Sequence, residues 1–243
     1  MAPDWNESQQ AYFDATADEY GDNFEQANPY FDFVSRRYMG AGAPRAGERV
    51  LELGTSGGRF TVPLLQAGCS VTGVDLSARS LAFLEARLAG NPLLGKLRLL
   101  SDDAAVLGKL EGGGFDAVVG AHILHHVADV PAVLRQALSR LRPGGRAVFL
   151  EPNPLNPLWY VHMTFHPGKS WRVEKGLLGV WPWRIRRFFL EAGFKSCRVE
   201  PFGFFPPQVF ERVAATEGWE GSVERLPGLR PWLTLNLFVA EKG

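Results

Sequence analysis

The chain of 243 residues has only two cysteines, Cys69 and Cys197, far apart and in no ligand-like spacing. Their scarcity argues against a disulfide framework and a zinc site, so no metal is expected, and it fits a reducing compartment. An excess of one charge is also missing, since 26 Lys and Arg balance 26 Asp and Glu. Without a basic field the chain has little with which to hold a polyanion, which argues against nucleic acid as a partner. No apolar run approaches bilayer-spanning length, and no basic segment followed by an apolar one opens the chain. A cytoplasmic protein with no integral membrane segment is the expectation. No repeat or low-complexity tract occurs, and a hydrophobic content of 46% suffices for one sizeable globular domain.

What is present is organised around Val50-Leu51-Glu52-Leu53-Gly54-Thr55-Ser56-Gly57-Gly58-Arg59-Phe60. An apolar run, a glycine-dense turn and a resumed apolar pattern read as a buried parallel strand turning into a helix. Glycine there gives backbone angles closed to other residues and lets a ligand approach the main chain. The helix start that follows suits an anion. A dinucleotide fingerprint G-x-G-x-x-G counted from Gly54 would need glycine at Ser56 and Arg59, so the nicotinamide reading weakens. A second β-branched run, Ser70 to Val74, ends in Asp75-Leu76-Ser77. Asp75 would share the carboxyl edge with Gly54, where its carboxylate can accept from the ribose hydroxyls of an adenosine-containing cofactor, nicotinamide dinucleotides included. Ser77 is the better cap for the helix starting near Arg79.

Helical periodicity marks the first forty residues, with Phe13, Ala17 and Tyr20 on one face. After the anchor, strands and helices alternate: helices at Phe60 to Ala67 and Arg79 to Ala89, and strands at Lys96 to Leu100, Phe115 to Gly120 and Arg146 to Glu151. Asp129 caps a helix that Pro143-Gly144-Gly145 stops. Five parallel strands need both faces covered, which implies a three-layer αβα sandwich. Residues 152–181 and 205–231 are proline-punctuated inserts, the first rich in aromatics, and both are read as forming a substrate wall. Trp183 to Ala192 resumes as a helix, and Phe194 to Phe204 and Leu233 to Ala240 are late strands.

Glu52, Gly54, Ser56 and Gly58 resemble the acid-x-G-x-G-x-G first motif of class I S-adenosylmethionine (SAM) dependent methyltransferases, with Ser56 replacing the middle glycine. Asp103-Ala104 resembles that family's acid-Ala third motif. Phe115-Asp116 through Leu124-His125-His126-Val127 resembles its F-D-x-V to L-H-H-V stretch. The resemblance covers roughly Tyr12 to Glu151 and is to the small-molecule kind, like the methyltransferase type 11 group. It implies a single domain over 1–243, Rossmann-like with seven mostly parallel strands and an antiparallel last strand, and a helical lid over residues 1–45. It also implies SAM as cofactor, S-adenosylhomocysteine as product, and a cofactor site of Tyr20, Glu52, Gly54, Thr55, Ser56, Gly58, Asp75, Leu76, Asp103, Ala104, Gly120 and Ala121. Asp75 would meet the ribose, Asp103 the adenine amino group, and Gly120, Ala121 and His122 the reacting methyl.

Methyl transfer requires alignment, exclusion of water and, for a hydroxyl acceptor, a base within hydrogen-bond reach. His122, His126, Glu151 and His162 are the candidates, with one of His125 and His126 reserved for packing and His166 nearby. The expected function is methylation of a small, partly apolar or aromatic acceptor, at oxygen. Nitrogen or carbon transfer to a quinone-like or lipid-like molecule, other chemistry on the SAM fold, a silent binding role and a homodimer all stay open.

Overall fold

The computed structural model describes residues 5–22, 28–42, 44–165, 171–213 and 215–243. Seven strands form one sheet: β1 (Arg49–Leu53), β2 (Ser70–Asp75), β3 (Leu97–Ser101), β4 (Phe115–Ala121), β5 (Leu141–Pro152), β6 (Ser196–Phe202) and β7 (Leu235–Glu241). Their order is β3-β2-β1-β4-β5-β7-β6. The first five run parallel, and β7 is antiparallel to both β5 and β6. This is the Rossmann-like sandwich anticipated above.

Both faces of the central strands are covered, which is why β1, β4 and β5 read as apolar runs rather than alternating ones. Val50, Leu51, Leu53, Val118, Val119, Val148 and Phe149 are all fully buried. On one face they meet α5 (Val130–Arg140) and α8 (Pro182–Ala192) through Leu134, Ala137, Ile185 and Phe189. On the other they meet α2 (Pro29–Gly40), α3 (Thr61–Gln66) and α4 (Ala78–Arg87) through Tyr38, Leu64 and Leu84.

Helix starts follow local chemistry. Asn28, Ser77 and Asp129 each accept a hydrogen bond from the backbone N–H three residues on, and Gly193, at φ 107°, ends α8 in the left-handed region. Ser77 is thus the cap of α4, leaving Asp75 for other work.

Two stretches differ from the sequence expectation. Pro143-Gly144-Gly145 is carried inside the irregular start of β5, where the β4 register shifts between Phe115 and Ala117. The stretch 205–231 contains α9 (Pro207–Arg212) and α10 (Thr216–Val223), pinned to α2 by Arg36–Glu217 at 2.6 Å and Arg37–Glu224 at 2.8 Å. Buried Glu220 adds its carboxyl oxygens to the N–H groups of Phe204 and Phe205. In α9 the prolines obscured the helix because Pro207 sits at its first position, where the missing N–H costs nothing, and in α10 Gly218 and Gly221 weaken the helical signal.

Gly58 lies at φ 87°, and a methyl group there would collide with Leu84 Cδ1. Gly58→Ala should lose about 1–3 kcal/mol of stability from strain and overpacking. Urea unfolding of Gly58→Ala, Leu84→Ala and the double variant should show less than additive loss, because truncating Leu84 removes the collision.

Candidate active site

β1 lies between β2 and β4, so the carboxyl ends of all three open onto one edge. After β1, Gly54 turns at φ 76°, and its N–H and that of Thr55 donate to Val74 O at 2.8 and 3.2 Å. A Cβ on Gly54 would come within 3.1 Å of Ile123, so glycine here admits the loop that follows β4. Ser56, standing where the motif has glycine, adopts φ 47°, a left-handed conformation that L residues seldom take. Its N–H donates to Asp75 Oδ2 at 2.7 Å, while the N–H of Ser77 donates to Asp75 Oδ1 at 2.9 Å. The main chain therefore fixes the Asp75 carboxyl in place.

Beyond β3, Asp102 accepts the N–H of Asp103 and of Lys109, at 2.8 and 2.6 Å, and so shapes the loop. Asp103 takes the N–H of Ala105 on one oxygen, at 2.8 Å, and the Asn6 side-chain amide on the other, at 2.7 Å. Asn6 belongs to α1 (Trp5–Asp22). The helix is also tied to the loop after β4, where Trp5 Nε1 donates to His126 O at 2.8 Å and Phe13 meets the His126 ring edge-on at 5.1 Å.

That loop is built on Glu151, the last acid of β5. The side chain is fully buried and accepts the N–H groups of Ile123 and Leu124 on Oε1, at 3.0 and 2.7 Å, and faces His125 Nδ1 at 2.5 Å on Oε2. His122 is forced to φ 55°, with its N–H given to Leu150 O at 2.7 Å. Positive φ at non-glycine residues costs energy and tends to collect at functional sites. Ser56 and His122 both face the same cavity.

This cavity, of ≈320 Å³, is where the predicted residues meet. Glu52, Gly54, Thr55, Ser56, Asp75, Leu76, Asp103, Ala104, Ala121, His122 and His126 all line it. Four predicted residues stand apart. Gly58 and Gly120 lie behind the wall as packing glycines, since a Cβ on Gly120 would press on Phe149 at 2.8 Å. Glu151 is spent on the loop after β4, so it is not available as a base. His162 is exposed on α6 (Pro157–Phe165), outside the lining, because the apolar anchor of that turn is Met163. The Tyr20 side chain and His166 lie outside the described residues. Stretch 205–231, expected as a wall, contributes no lining residue among those described.

Sequence reasoning missed Asn6, Gln9 and Glu174, all in the lining, while Trp159 comes from the aromatic insert expected to wall the site. A strand-end acid can be found from pattern, whereas these come from α1 and from the 152–181 insert, whose placement no local periodicity specifies. Glu174 ends α7 (Trp171–Glu174), and Trp159 on α6 donates to Thr234 O at 2.8 Å.

Burial dominates the electrostatics. It raises Glu52 to about 8, against a hydrogen bond from Thr61 Oγ1 at 2.5 Å and with added repulsion from Asp75. Asp75 is likewise raised by burial, although Ser77 and Ser56 N–H groups pull the other way. For His125 burial pulls down, but the carboxylates of Glu151 and Glu174 outweigh it and hold the imidazole near 9.

Residues 19–197 match the family model described as a methyltransferase domain. The chain belongs to that family. It is a class I SAM-dependent methyltransferase domain. A ubiquinone biosynthesis O-methyltransferase of Pseudomonas aeruginosa is 30% identical over 153 residues, 62% of this chain and 65% of its own length. The chain thus spans less than two thirds of the curated relatives it matches. Among solved structures, a SAM-dependent methyltransferase of Thermotoga maritima superposes at a TM-score of 0.67 with 19% identity, covering 97% of this chain and 100% of that one. Magnesium protoporphyrin IX methyltransferase of Synechocystis PCC 6803, with S-adenosylhomocysteine bound, gives 0.63 with 18% identity, covering 99% and 100%. These two likenesses concern the fold.

SAM is the cofactor of this methyltransferase family, and the donor set fits it. Ser56 N–H, the turn amide that a pyrophosphate would need, is already given to Asp75. The acids Asp75, Asp102 and Asp103 line the cavity and would repel phosphates. They suit hydroxyl donors and a cationic sulfonium instead.

Glu52 supplies a pH test. An acid whose folded value lies above its ordinary 4.5 leaves stability intact below 4.5 and costs stability as pH climbs through about 8. Thermal melts of the ligand-free methyltransferase should therefore show wild type and Glu52→Gln close together at low pH. From about pH 4.5 upward the variant should pull ahead progressively, and the gap should level off above about 8, at on the order of a few kcal/mol. Parallel curves across the range would contradict this burial effect.

Proposed function

We propose that this methyltransferase moves a methyl group from SAM to an oxygen of a small, partly apolar or aromatic acceptor. The observation that carries the reading is one cavity with fixed acids at its β2 and β3 end and His122, His126, Phe13 and Trp159 at its β4 end. The relation to ubiquinone biosynthesis O-methyltransferases supports oxygen as the acceptor atom.

When bound, SAM supplies a methyl group on a sulfonium that departs as a neutral thioether, so the protein needs no activating acid of its own. Asp75, oriented by two backbone N–H groups, accepts the ribose hydroxyls, and Asp103 accepts the adenine amino group. Leu76 and Ala104 flank the base, while Glu52, Gly54, Thr55, Ser56 and Ala121 border the methionine portion. Asn6 already occupies one oxygen of Asp103, so α1 shares that carboxyl with the cofactor and roofs the site. His122, held in its strained conformation at the end of β4, takes the acceptor's proton. Phe13 and Trp159 exclude water and supply an apolar seat for the acceptor.

Calorimetric titration with SAM tests the cofactor half. Asp75→Ala should weaken binding by about tenfold to a hundredfold, the scale of a lost charge-assisted hydrogen bond. NAD should give no heat, and preferential NAD binding would overturn the assignment. For the acceptor half, a screen of phenolic and other hydroxyl compounds should yield methylated oxygen and S-adenosylhomocysteine. With such an acceptor, His122→Ala should cut kcat by about 10²–10⁴ while leaving SAM affinity nearly unchanged. Undiminished kcat would remove His122 as the base, and product methylated at nitrogen or carbon would reassign the acceptor atom.

A further inference from the structure

His125 has a carboxylate on each of its ring nitrogens. Nδ1 is 2.5 Å from Glu151 Oε2, and Nε2 is 3.4 Å from Glu174 Oε2. The same Glu174 oxygen is 3.9 Å from His126 Nε2. One ligand atom from each of His125, His126 and Glu174 falls within 4.8 Å of the others. A neutral imidazole has a single N–H. With Nδ1–H given to Glu151, the Nε2 position faces the Glu174 oxygen and is filled either by a second proton on the imidazole or by a metal ion that displaces that proton.

We propose that His125 Nε2, His126 Nε2 and Glu174 bind one divalent transition-metal ion of the zinc type. Two imidazoles with one carboxylate match that class, whereas magnesium and calcium call for oxygen donors throughout. Bonds of about 2.0–2.1 Å in a tetrahedral site put donor atoms roughly 3.3–3.5 Å apart, so modest rotation of His126 and Glu174 brings the set to bonding distance. Three protein donors leave a coordination position open, the pattern of a reactive rather than a structural site.

The surroundings are built for it. Glu151 is the outer carboxylate that fixes which nitrogen of His125 faces the ion, and two backbone N–H groups fix Glu151 in turn. Glu174 is delivered by close packing. The 3₁₀ turn Lys175–Gly179 lies so tightly on the His125 carbonyl that a Cβ on Gly176 would overlap it. Gln9 Nε2 donates to Val173 O at 3.0 Å and holds α7 from the other side. All three donors line the cavity, so the open position faces the acceptor end. Binding of the ion stands on this geometry alone. Its consequence, an acceptor hydroxyl drawn onto the metal and made easier to deprotonate, rests on the methyl-transfer reading above.

The test uses the tag-free full chain, stripped with a chelator and titrated calorimetrically with Zn²⁺, then with Co²⁺ followed by visible absorption, and with Mg²⁺ as a control. One equivalent of Zn²⁺ and of Co²⁺ should bind, Co²⁺ with the intense bands of a low-coordinate site, and Mg²⁺ should not compete. Glu174→Gln, close in shape to the native side chain, should weaken Zn²⁺ by at least the 10–100-fold typical of losing even an outer-shell partner. His126→Gln should do the same. Absence of saturable Zn²⁺ binding, or Zn²⁺ affinity unchanged in both variants, overturns the site. SAM titration of the same preparation separates the two readings. Protein that binds SAM but no zinc loses only the metal, and protein that binds zinc through Glu174 but no SAM loses only the methyl transfer.

Discussion

Glu151 is the interaction on which the cavity depends. Taking a carboxyl group wholly out of water is costly, and it persists only where hydrogen bonds replace the lost hydration. Two backbone N–H groups and the His125 ring do so here. Because those groups all belong to the loop after β4, the burial of one side chain from β5 decides the path of that loop. His122 is pushed into a left-handed conformation, Ile123 is laid over Gly54, and His126 is turned to the cavity. Removing Glu151 would release several elements together, since its partners would be left buried and unmet.

The opposite end is organised by a second acid under the same rule. Asp75 collects amides from both the β1 turn and the start of α4. In each case a strand-end acid spends part of its capacity on main-chain N–H groups and so becomes a rigid fixture. They differ in what is left over. Asp75 keeps a face toward the cavity, whereas Glu151 has none, although the two look alike in the sequence.

That difference marks how far the sequence was legible. The alternation of strands with helices and the edge at which the site lies follow from apolar runs ending near Glu52, Asp75 and Glu151, with Gly54 forcing the turn, whereas the antiparallel β7 was legible only through the resemblance to the methyltransferase family. Caps at Ser77 and Asp129 followed from hydroxyl and carboxyl chemistry at helix starts. Whether an acid at such an end faces inward is decided by neighbouring strands, so Glu151 read as a base when it is a tether. His162 failed for a related reason: its insert lacks a period, and which side of α6 meets the protein is set by Met163 beneath it. Glu174 was invisible because its place comes from Gly176 pressing on His125, a contact between segments some fifty residues apart in the chain.

The helix α1 couples the two ends of the cavity mechanically. Trp5 and Asn6 are neighbours, yet the first holds the His126 carbonyl and the second holds Asp103. Opposite ends of the cavity are thus latched by consecutive residues of one helix. Displacing that helix far enough to free Asp103 also pulls on the wall around His126. Neither end can then be loosened without straining the other.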